Sequence, residues 1–317
     1  MNFIKGRNNL AVTVYVPYDC PNNCEFCTSK QEYSRGSNLE NIKEQLKQVR
    51  KSSINEVVFT GGEPMANCKT LLELISLVDN KDVYINTSLI YPTFEMFCDL
   101  VNFTKCIKGI NISRHAVDFE HENLSLISRD HFVNMINKPI KINVVIGENA
   151  TSSYFKSVLK RWGYYDVKVS FRADFNKTTP EELHNLGDVT LQELLKFGEF
   201  VDRKYCDVCD TTLMKRENQL YEYHRGLETT SIKLGNSIIV NDIIIFPDGE
   251  MCYDWNRKSK GIQEMKEQFN FNAKQTKRVC IIDNDCSCGG CYGDIFKESG
   301  SDEVVYSYGG SCGSGGC

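Results

Sequence analysis

Three cysteines stand close together near the start of the sequence, in Cys20-Pro-Asn-Asn-Cys24-Glu-Phe-Cys27, a CxxxCxxC spacing. Thiolates are the usual protein ligands of iron–sulfur clusters. Three of them in one loop can hold three irons of a [4Fe–4S] cube while the fourth iron stays open to a substrate or cofactor. A structural zinc loop is the other reading, but zinc normally takes four protein ligands in CxxC pairs, and no partner pair lies nearby. Further on, Thr60-Gly61-Gly62-Glu63-Pro64 closes a β-rich run. Glycines let the backbone approach a ligand, and a carboxylate beside them can accept hydrogen bonds from an ammonium group. Taken alone, such a segment is an ordinary strand-end turn.

A second group of cysteines follows much later: Cys252 after a Pro-Asp-Gly turn signal, Cys280, Cys286-Ser-Cys288-Gly-Gly-Cys291, and finally Cys312 and Cys317 in a Gly/Ser-rich end. Zinc held by Cys252, Cys286, Cys288 and Cys291 is compatible with this spacing. Cys206 and Cys209 form a further CxxC, expected at the end of a helix, that could serve the same site, form a redox pair or be inert. Cys68, Cys98 and Cys106 lie among apolar residues and are expected to be buried small hydrophobes.

With Phe26 before the third cysteine, the N-terminal loop resembles the signature of the radical S-adenosylmethionine (SAM) superfamily, and Gly61-Gly62-Glu63-Pro64 matches that family's GGE motif. The resemblance implies that Cys20, Cys24 and Cys27 hold a [4Fe–4S] cluster, that SAM binds its open iron, and that Glu63 meets the SAM ammonium. One-electron reduction would then yield a 5′-deoxyadenosyl radical that abstracts hydrogen from a substrate. It further implies that Ser113, Arg114, Asn143 and Arg172 contact SAM, an Arg being suited to clamp its carboxylate. His115, at the same edge, is a candidate for proton transfer or substrate orientation. The late cysteines resemble auxiliary-cluster extensions called SPASM and twitch domains, although the CxC at Cys286 and Cys288 departs from the full arrangement. At least one auxiliary [4Fe–4S] cluster is therefore expected, with Cys252, Cys280, Cys286, Cys288 and Cys291 as ligands.

The elements that must position these residues follow from hydrophobic period. Short β-rich runs at Ala11–Val16, Glu56–Thr60, Val83–Thr87, Ile110–Ser113, Lys141–Ile146 and Val167–Phe171 alternate with amphipathic stretches such as Asn38–Lys51 and Lys69–Val78. This is the pattern of βα units around a parallel sheet, whose C-terminal edge collects ligands. The fold expected is α/β, a partial (β/α)6 barrel of the radical SAM type with a small C-terminal cysteine-rich auxiliary-cluster domain. Its divisions are expected at 1–215 for the barrel, 216–300 for the auxiliary domain, and 301–317 for a flexible tail. In that tail Cys312 and Cys317 are candidates to reach back to the active site.

Composition narrows the setting. A net charge of −5 gives no general attraction to phosphate backbones, so no nucleic-acid partner is expected. No stretch approaches the roughly 18 apolar residues of a membrane span, and the opening lacks the pattern of a signal peptide, so no membrane partner and a cytoplasmic location are expected. In that reducing setting, 15 cysteines read as metal ligands more readily than as disulfides. The external reductant would be a flavodoxin or ferredoxin. By resemblance, the substrate favoured is a ribosomally made peptide undergoing thioether or carbon–carbon crosslinking or epimerisation. A nucleotide or cofactor precursor is the alternative small-molecule substrate. The first expected strand begins at Ala11, which leaves no separate N-terminal peptide-recognition domain in this reading. A non-catalytic iron–sulfur carrier or sensor would need neither the GGE element nor six βα units.

Overall fold

The computed structural model describes residues 1–6, 10–22, 24, 26–27, 29–89, 94–116, 130–146, 151–173, 191–205, 209–226 and 231–271. Its strands are β1 (Asn2–Lys5), β2 (Ala11–Tyr15), β3 (Glu56–Thr60), β4 (Asp82–Thr87), β5 (Ile107–Ser113), β6 (Ile140–Ile146) and β7 (Lys168–Ala173). Seven more follow: β8 (Glu199–Tyr205), β9 (Cys209–Arg216), β10 (Gln219–Gly226), β11 (Ser231–Leu234), β12 (Ser237–Val240), β13 (Asp242–Ile245) and β14 (Met251–Cys252). The helices are α1 (Lys30–Tyr33), α2 (Leu39–Lys51), α3 (Cys68–Ser76), α4 (Phe94–Phe103), α5 (Ser152–Trp162) and α6 (Ile262–Gln268).

One large sheet has the order β14-β13-β2-β3-β4-β5-β6-β7-β10-β9-β8. All pairings from β13 through β10 are parallel, and the antiparallel strands β14, β9 and β8 lie outside that run. The six expected strands are thus consecutive, β2 to β7. The sequence reading did not foresee that β13 and β10, from downstream of the expected barrel, add a parallel strand on each side. A second sheet, β1-β12-β11, pairs the N-terminal residues with Ser237–Val240. The apolar run Ser237–Phe246 is therefore two strands in two sheets, broken at Asn241. Cys209 opens a strand instead of ending a helix, because Glu199–Tyr205 and Gln219–Gly226 flank it as antiparallel partners. Met1–Asn272 forms one compact unit.

Period-two alternation explains the layering. Val57, Phe59, Val83, Ile85, Ile112, Ile142 and Val144 are fully buried in one core with Ile42, Leu46 and Val49 of α2 and Leu71 and Leu74 of α3. On the opposite face Thr60, Asn86, Asn111, Ser113, Lys141 and Asn143 are half-buried and polar. Asn38, Asn67 and Thr151 cap α2, α3 and α5 through their side-chain oxygens, satisfying N–H groups that a helix start leaves open. Cys68, Cys98 and Cys106 are buried as expected.

Candidate functional site

The C-terminal ends of β2, β3, β4 and β5 bring the two N-terminal motifs together. Gly62 passes directly beneath the cysteine loop: a Cβ there would lie 2.0 Å from the Tyr18 carbonyl oxygen. Gly61 adopts φ +82, and its missing side chain leaves room for the Tyr15 ring and the Tyr33 hydroxyl. Tyr33, on α1 just after the loop, accepts from the Gly62 N–H and donates to the Val16 carbonyl at 2.9 Å. Tyr18 donates to the Pro64 carbonyl at 2.8 Å. The loop and the turn are thus fastened to each other twice.

Glu63 is 1% exposed and caps the short 3-10 turn Pro64–Asn67. Its Oε1 accepts from the Met65 N–H at 3.0 Å and from the Thr87 hydroxyl. Its Oε2 accepts from the Ser88 N–H at 2.8 Å and the Ser88 hydroxyl at 2.6 Å. A carboxylate has about four such acceptor positions, and these bonds fill them. Ser88 Oγ in turn accepts from Asn22 Nδ2 at 2.8 Å. Asn22 lies between Cys20 and Cys24, so a buried chain Asn22–Ser88–Glu63 ties the cysteine loop to the GGEP turn.

Arg114 is buried and donates from Nη1 to the carbonyls of Ser88 and Ser113, both at 2.7 Å, with its guanidinium 5.0 Å from the Phe132 ring centre. His115 accepts the Val145 N–H on Nδ1 at 3.1 Å, so its neutral ring carries the proton on Nε2. It packs edge-on against Phe26 of the cysteine loop, centroids 4.5 Å apart. Burial, reinforced by adjacent Arg114, holds His115 down to about 3. The geometry is that of a neutral spacer fixing the loop, which leaves little scope for an imidazolium acid near neutral pH.

The donor set suits the iron–sulfur group the motif implies. Burial pushes the Cys20 thiol up to about 11, and Glu63, Cys24 and Cys27 push the same way against the one Asn22 N–H that favours the thiolate. A multivalent cation is what favours the Cys20 thiolate in such a setting. Among the described residues no three Cys, His, Asp or Glu side chains already converge as a finished metal-binding group.

The remaining expected residues among those described lie on the neighbouring strands. Ser113 and Asn143 are register partners on β5 and β6, and Arg172 pairs in register with Val145 and His224 on β6 and β10. Cys252 is buried with Tyr15, Ile244 and Phe246, and burial, with Glu250 beside it, raises its thiol to about 12. Cys280, Cys286, Cys288, Cys291, Cys312 and Cys317 lie outside the described residues, as does Cys206.

Sequence reasoning missed Asn22, Tyr33, Thr87, Ser88 and Arg257. The polar pair Thr87-Ser88 at a strand end was the available signal. Arg257 is bonded to Glu32 of α1 at 2.6 Å and to Asp248 and Glu250 of the β13–β14 turn at 2.7 Å each, with its guanidinium 3.8 Å from the Phe246 ring centre. It clamps the helix behind the cysteine loop to the neighbouring strand pair.

Residues 14–145 match the model of the Radical SAM superfamily. The chain is 31% identical over 114 residues to the PqqA peptide cyclase of Bradyrhizobium diazoefficiens; the match covers 34% of this chain and spans only 29% of the cyclase. Among solved structures it resembles Streptococcus suis SuiB, with a TM-score of 0.52 and 14% identity over 83% of this chain and 66% of SuiB. At that identity the likeness establishes the fold. Among the described residues no helix is long and apolar enough to cross a membrane.

Proposed function

From a chain whose residues 14–145 match the Radical SAM superfamily, we propose an enzyme that cleaves SAM reductively and uses the resulting radical to modify a peptide. The observation that carries this reading is the Asn22–Ser88–Glu63 chain, which locks a three-thiol loop onto a GGE turn at one sheet edge. Cys20, Cys24 and Cys27 would hold a [4Fe–4S] cluster, whose chemistry is the one-electron reduction of SAM. Because the Glu63 carboxylate is already filled, its part in ammonium recognition is to fix the Gly61-Gly62 turn and set a negative potential beside it. Arg114 and His115 position the ends of β4 and β5 against the loop. Ser113 and Asn143 are the side chains offered to the rest of SAM.

The peptide reading rests on the partial match to a cyclase named for its peptide substrate. Within it, residues 216–300 would supply an auxiliary cluster through Cys252, Cys280, Cys286, Cys288 and Cys291, with the tail cysteines Cys312 and Cys317 within reach during turnover. A flavodoxin or ferredoxin would deliver electrons in the reducing cytoplasm. The test is to co-express the chain with short peptides encoded beside its gene and to weigh the peptides. A mass change that requires Cys20, Cys24 and Cys27 supports the proposal. Unmodified peptides throughout, alongside active SAM cleavage, would move the substrate to another chemical class.

A further inference from the structure

The polar face of β6, β7 and β10 carries a charged group that the site above does not use. Lys141 Nζ lies 3.2 Å from Glu222 Oε1, and Lys168 Nζ lies 2.9 Å from Glu222 Oε2. Glu222 is 4% exposed and stands in register beside Ser170, one alternation below the Arg172–His224 pair. Two lysines therefore share one carboxylate, and Arg172 stands close enough to feel its charge. Among the described residues, counting Glu56, the other carboxylate that feels Lys141, still leaves one positive charge in excess. Among the described residues, the buried polar atoms on this face without a hydrogen-bond partner include Arg172 Nε and Asn143 Oδ1. Buried polar groups are satisfied almost without exception, and an open donor on a cation beside surplus positive charge calls for an anion.

The geometry points to a carboxylate-binding subsite on β6, β7 and β10, formed by Arg172 with Lys141 and Lys168, that receives an acidic group of the substrate. Glu222 is the positioning residue, holding both lysine heads on this face. His224, held to about 3 mainly by burial and then by Arg172, stays neutral and adds no competing charge; its Nδ1 lies 2.9 Å from the Thr211 hydroxyl. Two sources of a carboxylate exist, SAM and the substrate. The GGE turn ends β3, and Arg172 ends β7, four strand steps away in β3-β4-β5-β6-β7. At about 4.8 Å per step the two strands stand roughly 19 Å apart along the sheet. The ammonium and carboxylate of SAM hang on one carbon, so on this reading the substrate supplies the anion at Arg172, and titration with and without SAM separates the two sources. The inference rests on that reading of the GGE turn.

The test uses cluster-reconstituted full-length protein, titrated with N-acetylglutamate N-methylamide and with the matching glutamine compound, in the presence and absence of SAM. The acid is expected to bind about tenfold tighter than the amide, the effect of one charge-assisted hydrogen bond. Arg172→Gln and Lys168→Gln should each bring the ratio towards one, Arg172→Lys should retain part of it, and the Arg172→Gln protein should bind SAM within about twofold of wild type. Lys168 is partly exposed, so its replacement tests the subsite even if Arg172→Gln folds poorly. Equal binding of acid and amide by the wild type would overturn the inference. So would a tenfold loss of SAM affinity in Arg172→Gln, which would make the carboxylate SAM's own. Failure of the wild type to bind SAM would instead remove the proposed function, since the acid preference is also read without SAM.

Discussion

Glu63→Gln separates an anchoring carboxylate from one held ready for a ligand. The substitution preserves shape but turns one acceptor oxygen into an NH2 donor. Either amide orientation then faces a backbone N–H that cannot reverse: Met65 on one side, Ser88 on the other. The hydroxyls of Thr87 and Ser88 can rotate to adapt, but the orphaned N–H cannot. A buried unsatisfied donor costs about 1–3 kcal/mol, and the surviving bonds lose the strength lent by charge, so a total of about 2–4 kcal/mol is expected. Urea unfolding followed by far-UV circular dichroism reads this directly, and the iron bound per chain should fall as the Asn22–Ser88 link loosens. A stability loss below about 0.5 kcal/mol, the range of an unremarkable surface change, would refute the reasoning.

Gly62→Ala should lower iron incorporation several-fold, because its Cβ must displace the Tyr18–Asp19 backbone; Gly36→Ala, strained only by its φ of +91 with open space around it, should lose about 1 kcal/mol and keep its iron. Equal iron in both proteins would count against the close packing of loop and turn. Arg257→Ala should lower stability by about 2 kcal/mol, discounted because Glu250 is half exposed, and should speed amide exchange in α1; unchanged exchange there would show that the clamp is idle. His115 and His224 are both held to about 3 in the fold, so the unfolded chain binds more protons below about pH 6.5. Their contribution is complete above that pH and is lost as pH falls towards 3, by up to about 1.4 kcal/mol per unit for each ring. Denaturation midpoints that stay flat from pH 7 to 5 would contradict it.

The parts of the site written in contiguous residues were legible in the sequence, and those assembled by strand pairing were not. Cys20, Cys24, Cys27 and Gly61-Gly62-Glu63-Pro64 announce themselves because their chemistry depends on local spacing. Besides the Met65 N–H two residues on, the partners that fill Glu63 sit 24 and 25 positions away, at the end of the next strand, and only parallel pairing brings them near. The same non-locality hid β10 and β13: periodicity marks a strand but not its neighbour. It also made the break at Asn241 invisible inside an unbroken apolar run. Arg172 was legible as a strand-end arginine, whereas its distance from the GGE turn required the strand order.

The most direct test of a three-thiol loop serving SAM cleavage is to incubate the anaerobically reconstituted protein with SAM and dithionite and to measure 5′-deoxyadenosine. The wild type should form it, and the variant with Cys20, Cys24 and Cys27 all replaced by Ala should form none while keeping iron at the C-terminal cysteines. Undiminished 5′-deoxyadenosine from the triple variant, or none from the iron-loaded wild type, would contradict the assignment.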